Sequence, residues 1–385
     1  MKNLILLVLC CCSSVIFAKE ANTNFNYSYN FTIDKNMSSI SSANVAISGL
    51  EAYRQFDDSY LSNNNILPYL TRFISAYYIQ LINHEIGGHG ARAREFGLNT
   101  SYNLSPFNAS TRYSGNSTKF YDYPLQKRIA LNVAGIQASH LLAENIKDRY
   151  VQSNNINPTY GIGYFLSQLD QPTYILFSSS KNEKDDIAGY IKNINALYNT
   201  NYFNKAKLKR YAALDLLDPF MWYSAYSYAI NQDINLPMFK ISENVEYLPA
   251  TRAVLATYGL ERKLVNHFRF NKEQYVQLSL SYGKNMNNKS YAIGVNAYDM
   301  VNLNFVNLGA ELMVWSQPEI LTNNPIQAKT KRGGLLAVNT NFDLYKTANK
   351  LVKGLVSIGF KSKGFVEGRP LKSALLLRAG LQVNL

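Results

Sequence analysis

The sequence predicts an α+β fold in which a helical region lies before a C-terminal antiparallel sheet. Three observations support this. Apolar residues alternate with period two near the N-terminus, follow a helical period over most of 61–268, and return to period two over 269–385. Runs of helices and runs of strands that stay separate along a chain are typical of α+β proteins.

The first 18 residues have the composition of a secretory signal peptide. Lys2 precedes a long apolar run, and the small residue Ala18 stands at the expected cleavage position. Cys10, Cys11 and Cys12 are the only cysteines of the chain, so no disulfide is expected after this segment. The chain is therefore predicted to be exported, to the periplasm or the outer membrane.

Residues 19–60 are predicted to form a pair of strands. Aromatic and apolar side chains occupy every second position over 24–33, in NFNYSYNFTI, which is typical of a strand with one buried face. A serine-rich turn follows, and the segment NVAISG at 44–49 is predicted to be the short partner strand.

The region 61–268 is predicted to be a helical domain. One helix is expected over 69–96, since Pro68 precedes it and Gly97 follows it, and another over 124–150, beginning at Pro124. Further helices are predicted over 184–199, 205–231 and 248–265. After the signal peptide no segment has the ~18 uninterrupted apolar residues of a spanning helix.

The region 269–385 is predicted to be an antiparallel sheet, with strands near 275–282, 290–298, 307–315, 335–345, 350–360 and 377–385. Two interpretations remain open: a soluble sheet with one wet face, or a small membrane β-barrel. The last strand resembles the C-terminal strand of bacterial outer-membrane proteins, although it ends on Leu385 where an aromatic is usual. Together with the export signal, this resemblance favours the barrel.

The segment NHEIGGHGAR at 83–92 has the residue types of a metal site. His84 and His89 are five residues apart, which offsets them by about 140° in a regular α-helix. A one-residue π-bulge would return them to one face, and Gly87 and Gly88 lie between them, where such a distortion is tolerated. Glu85 follows the first histidine, the position of the water-activating base in zinc peptidases.

The motif HEIGGH at 84–89 resembles the HExxGH motif of dipeptidyl peptidase III, a zinc exopeptidase family with the same longer spacing. That family's second motif, on a later helix, provides the third zinc ligand, and SHLLAE at 139–144 lies at a similar distance here. The resemblance implies zinc held by His84, His89 and His140. It also implies that Glu144 orients a ligand imidazole, or replaces His140 as the ligand. The remaining histidine, His267, is predicted to be structural.

The sequence thus predicts a secreted zinc-dependent metallohydrolase that acts on peptides or proteins, with Glu85 as general base. The alternatives are a non-enzymatic outer-membrane β-barrel protein that binds lipid or a partner, and a soluble metal-binding module. The net charge of +13 fits either a solvated surface or attraction to an anionic membrane. No basic run carries the interleaved aromatics of a nucleic-acid site, so no nucleic-acid partner is expected.

Overall fold

A computed structural model describes residues 26–61, 66–105, 108–114, 123–177, 185–270, 274–286, 288–303, 306–322 and 329–385. The predicted signal peptide, residues 1–18, and its three cysteines lie outside these ranges. The described chain is α+β, as predicted: helices precede a large C-terminal antiparallel sheet, which one N-terminal strand joins.

The N-terminal part is one strand and one helix, so the predicted strand at 44–49 is wrong. Strand β1 covers Ser28–Asp34, and helix α1 covers Ser39–Tyr60, with the Ser38 side chain accepting a hydrogen bond at its start. Within α1 the buried residues Ala43, Ile47 and Leu50 follow a helical spacing. Ile47 therefore belongs to a helix face that packs in the core, whereas Val45 lies on the exposed side of the helix.

Each range predicted to be helical before residue 232 contains helix, but 124–150 and 205–231 each hold two helices, and the helix Pro158–Phe177 was not predicted. The remaining helices are α2 (Leu67–Ile82), a π-helix (Asn83–Gly90), α3 (Ala91–Glu95), α4 (Leu125–Asn132), α5 (Ala134–Ser153), α6 (Pro158–Phe177), α7 (Asp186–Tyr198), α8 (Lys205–Ala212) and α9 (Pro219–Ile230). A 3₁₀ turn covers Asp215–Leu217. No helix in the described ranges is both long and apolar enough to cross a membrane.

Two small sheets accompany the helices. Strands β2 (Asn99–Ser105) and β3 (Asn108–Ser114) form a hairpin directly after α3. Two-residue strands β4 (Asn155–Ile156) and β5 (Ile234–Asn235) pair with each other at the other end of the helical region.

The large sheet begins earlier than predicted, because the helix expected over 248–265 is a strand hairpin. Its strands are β6 (Phe239–Ser242), β7 (Val245–Ala256), β8 (Gly259–Phe270), β9 (Gln274–Asn285), β10 (Asn288–Asn302), β11 (Val306–Pro318), β12 (Thr330–Lys346), β13 (Leu351–Lys361) and β14 (Ala374–Asn384). Residues 252–256 of β7 are all buried, so both of its faces are covered and period-two alternation is lost. The six strands predicted after residue 270 are confirmed.

The predicted closure of the strands into a barrel is not found. The ten-stranded sheet runs in the order β1, β14, β13 and so on to β6, and within the described residues it stays open. Side chains of α1 cover the free edge of β1: the Asn30 N–H donates to Ser48 Oγ at 2.7 Å, and the Ser28 N–H donates to Glu51 Oε1 at 2.6 Å. These bonds satisfy amides that a neighbouring strand would otherwise bind.

The inner face of the sheet, defined here as the face towards the helices, borders a cavity of about 460 Å³ together with α1 and α5. Polar residues of the strands line it, among them Lys263, Gln277, Asn296, Glu311 and Asn339. The opposite, outer face carries exposed apolar side chains. The helices pack in an apolar core to which strand residues such as Leu248, Ala250 and Val265 also contribute, and the predicted metal motif lies in the helical layer.

Candidate metal centre

The segment 83–90 is a π-helix, as the histidine spacing predicted. Its i→i+5 hydrogen bonding brings residues five apart back to the same side. One potential ligand atom each from His84, Glu85 and His89 therefore lies within 4.8 Å of the others. All three side chains are buried.

The glycine pair of the motif also permits close packing. A Cβ on Gly88 would lie 2.5 Å from the Ala134 carbonyl oxygen and 2.7 Å from the Gly135 nitrogen, both at the start of α5. A Cβ on Gly87 would lie 2.6 Å from the Ser42 Cβ of α1. Glycine is thus required here because two helices approach the π-helix backbone, a reason that adds to the backbone freedom inferred from the sequence.

Both imidazoles are held through their Nδ1 atoms. His84 Nδ1 is 2.9 Å from Asp170 Oδ2 on α6, and the Tyr174 ring stacks on the His84 ring at 5.0 Å between centroids. His89 Nδ1 is 2.8 Å from the Leu131 carbonyl oxygen at the end of α4. A carboxylate or carbonyl on one ring nitrogen orients the other towards a metal.

The two Nε2 atoms both meet the carboxylate of Asp186, a residue that the sequence analysis missed. Asp186 Oδ2 is 3.3 Å from His84 Nε2 and 3.0 Å from His89 Nε2. Asp186 is the first residue of α7, whose start is capped by the Asp185 side chain. In the sequence an acid at a helix start is what the helix dipole favours anyway, so nothing distinguished it as a ligand.

Interactions between charged side chains shift the pKa values of this buried group. Burial alone would raise the pKa of Asp186, but His89 and His84 hold it at about 2. Burial opposes protonation of His84, yet Asp170 and Asp186 outweigh it and raise the pKa of the ring. The site thus concentrates negative charge around two imidazoles, an arrangement that favours a bound cation.

Glu85 is fixed by the β2–β3 hairpin. The Thr111 hydroxyl, on β3, lies 2.6 Å from Glu85 Oε2 and donates a hydrogen bond to it. The Glu85 side chain therefore has a defined position beside the two histidines rather than a choice of rotamers.

His140 and Glu144, predicted as third ligand and its partner, contact a different group of side chains. His140 Nδ1 lies 3.4 Å from Glu367 Oε1, and burial together with Arg252 lowers the pKa of its ring. Glu144 accepts hydrogen bonds from Lys147 at 3.1 Å and from Arg252 at 3.2 Å. The structure groups neither residue with His84, Glu85 and His89. A role for them in metal binding stays a prediction.

His267, predicted to be structural, lies on β8 and is buried. Its Nδ1 is 2.6 Å from the Tyr275 hydroxyl, and the Tyr275 ring stacks on it. Burial and the nearby Lys147 ammonium lower the pKa of the ring to about 3, so it is neutral.

The site is thus a His-Glu-His group that could hold a metal ion, and its geometry does not by itself identify the metal. No protein-family model, no curated protein and no solved structure matches the chain.

Proposed function

We propose that the protein is a zinc-dependent hydrolase of peptide bonds, with Glu85 as its general base. The observation that supports this most is the π-helix, which gathers His84, Glu85 and His89 around one point. Imidazole and carboxylate donors suit zinc, and Gly135 lies against the His84 ring, where the Cβ of any side chain would clash with it.

A zinc ion bound there would supply a Lewis acid that polarises the scissile carbonyl. Glu85 accepts the proton of the attacking water and passes it to the leaving amine. Thr111 holds the Glu85 carboxylate in place for both transfers. Asp170 and the Leu131 carbonyl keep the two imidazoles directed at the same point.

The hairpin beside Glu85 supports a peptide as the substrate. Within the described residues β2 and β3 pair only with each other, so each is an edge strand of a two-stranded sheet. An extended peptide binds such an edge by adding a strand. Thr111 belongs to this hairpin, so a peptide bound along it would lie close to the Glu85 carboxylate.

The test is a Glu85→Gln variant of the full chain, compared with wild type on a library of quenched-fluorescence peptides. We expect the variant to bind zinc with wild-type affinity but to lose about 100-fold or more in kcat, since general base catalysis contributes about 100- to 10,000-fold. Unchanged hydrolysis would remove Glu85 as base. Failure of the wild-type protein to bind zinc or cleave any peptide would refute the proposal.

A second proposal concerns location: we propose that the outer face of the sheet contacts lipid, as at an outer membrane. This face carries an exposed apolar side chain on each of eight strands: Ile33, Leu264, Leu280, Ile293, Val314, Leu336, Ile358 and Leu377. Many are cross-strand neighbours; Leu336, for example, pairs with both Leu312 and Phe360. A soluble sheet turns its polar side chains outward and its apolar side chains inward. The reverse arrangement found here is typical of strands in lipid.

Flotation of the purified chain with anionic phospholipid vesicles tests this location. We expect wild type to float and a Leu336→Arg variant to float much less, because an arginine on a lipid-facing strand costs roughly 2–4 kcal/mol. Leu217→Arg is the matched control, since Leu217 is equally exposed but lies on the helical side. A wild-type protein that stays monomeric without detergent and does not float would contradict the proposal.

A further inference from the structure

We propose that Asp186 is the third protein ligand of the metal centre. The inference rests on the proposed function for the nature of the ion, but it concerns a residue that neither the motif nor its resemblance indicated. It is carried by three observations: the distances around Asp186 Oδ2, the orientation of the two imidazoles, and the way in which α7 is fixed.

The two distances from Asp186 Oδ2 to the imidazoles are close to the edges of a coordination tetrahedron. Ligand atoms about 2.0–2.2 Å from one zinc ion at tetrahedral angles lie about 3.3–3.6 Å from each other. Asp186 Oδ2 lies 3.3 Å from His84 Nε2 and 3.0 Å from His89 Nε2. One carboxylate oxygen therefore sits at nearly the required separation from both ring nitrogens.

The imidazoles can present Nε2 to an ion because their Nδ1 atoms are already used. Asp170 occupies Nδ1 of His84, and the Leu131 carbonyl occupies Nδ1 of His89. A carbonyl oxygen can only accept, so His89 carries its proton on Nδ1 whenever the ring is neutral. The lone pair of His89 Nε2 then faces the Asp186 carboxylate. A cation bound by both groups would satisfy this lone pair and this carboxylate.

Asp186 reaches this point because α7 is tightly fixed. The Asp185 side chain accepts the N–H groups of Ile187 and Ala188 at 2.9 and 3.1 Å, which sets the start of the helix. About two turns further along α7, Asn193 Nδ2 donates to Asn132 Oδ1 at 2.8 Å. Asn132 follows Leu131, so the same end of α4 positions both His89 and α7.

His140 is the rival for this position. It lies on α5, its Nδ1 faces Glu367, and its Nε2 has no hydrogen-bond partner within the described residues. Asp186 contacts both ligand imidazoles directly, whereas the polar contact of His140 is with the Glu367 group. The structure therefore favours Asp186 over the ligand that the motif resemblance implied.

Cobalt spectroscopy on thiol variants separates the two candidates. In the full chain with Cys10, Cys11 and Cys12 replaced by serine, Asp186→Cys and His140→Cys each introduce one thiol. A thiolate bound to Co²⁺ gives a charge-transfer band in the near ultraviolet that a free thiol does not. We expect the band with Asp186→Cys and not with His140→Cys.

Zinc affinity provides a second measurement that does not depend on a cysteine. We expect Asp186→Asn to weaken zinc binding about 100-fold or more, because loss of even an outer partner of a ligand costs about 10–100-fold. Asp185→Asn is the matched control: asparagine caps a helix as well as aspartate, so its affinity should remain that of wild type.

The outcomes are distinct. No band with Asp186→Cys, or wild-type zinc affinity in Asp186→Asn, overturns the inference, and a band with His140→Cys alone assigns the ligand to His140. A wild-type chain that binds neither ion also overturns it and leaves Asp186 as an ion-pair partner of the histidines. The band and the loss of affinity in a chain that hydrolyses no peptide would support the ligand while refuting the proposed function.

Discussion

The substitution Gly135→Ala tests whether the geometry around His84 creates the metal site. Gly135 lies in the first turn of α5, and a Cβ there would point at the His84 ring, with Nε2 and Cδ2 nearest and Cε1 at 2.6 Å. Ordinary contact begins at 3.4 Å, so the ring would have to move by about 0.8 Å (3.4 minus 2.6) or more. Asp170 and Tyr174 hold the ring from other sides and limit how it can move.

A displacement of this size removes His84 as a ligand, since metal–ligand distances are normally met within about 0.2 Å. We expect zinc affinity to fall about 100-fold or more, because loss of even an outer partner of a ligand costs about 10–100-fold. Overpacking costs about 1–3 kcal/mol of unfolding free energy, and replacing a helical glycine by alanine returns at most about 1 kcal/mol. The variant should therefore remain folded but bind zinc poorly.

The assay is competition for zinc with a chromophoric chelator, together with thermal unfolding of the metal-free protein. Gly49→Ala in α1 is the control, because a Cβ there would meet only Ile79 side-chain atoms, at 3.5 and 3.6 Å. The control should keep its zinc affinity and gain slightly in stability. Wild-type zinc affinity in Gly135→Ala would show that His84 does not bind the metal through this edge of its ring.

Two further predictions follow from single contacts. Thr111→Val removes the hydrogen bond to Glu85 Oε2. We expect zinc affinity to stay that of wild type and kcat to fall about tenfold, which is the effect of losing one hydrogen bond to a charged group. An unchanged kcat in peptide hydrolysis would contradict this prediction. Burial raises the pKa of the Asp215 carboxyl to about 8, although the Ala253 N–H and the Gln171 side chain donate hydrogen bonds to it. The folded protein therefore keeps a proton on Asp215 that the unfolded chain loses near pH 3.8. Wild-type stability should therefore fall as the pH rises from about 4 to about 8, by up to about 1.4 kcal/mol per unit, and Asp215→Asn should flatten this dependence and be the more stable protein at pH 8. Chemical denaturation across this range measures both slopes, and parallel slopes would show that Asp215 does not carry the proton.

The sequence predicted those elements whose pattern is set by neighbours along the chain. The strand β14 alternates from Leu377 onward because one face contacts a polar cavity and the other carries Leu377 and Leu381 outward. Prediction failed for β7, where residues 252–256 are buried on both sides by packing that no local period records. It failed over 44–49 because a short apolar run fits a strand or a helix equally well; in α1 Ile47 is buried while Val45 lies on the exposed side.

The candidate site likewise has a part that the sequence predicted and a part that it did not. One segment of six residues contains His84, Glu85 and His89, so the local geometry of one helix decides whether they converge. The two glycines in this segment indicate that the helix is distorted. Asp186 joins them from about one hundred residues further along the chain, and contacts between the end of α4 and helix α7 decide where it lies. A motif cannot specify such a partner, because its position depends on how separate helices pack.

By itself the sequence determined the α+β class, the six C-terminal strands and the π-helical arrangement of two histidines and a glutamate. Each of these depends on backbone hydrogen bonding and side-chain periodicity over a few consecutive residues. Only the tertiary structure decided that Asp186 rather than His140 faces the two imidazoles, that α1 covers the edge of β1, and that the sheet stays open. These features depend on contacts between segments far apart in the chain, whose relative positions are set by the packing of the whole molecule.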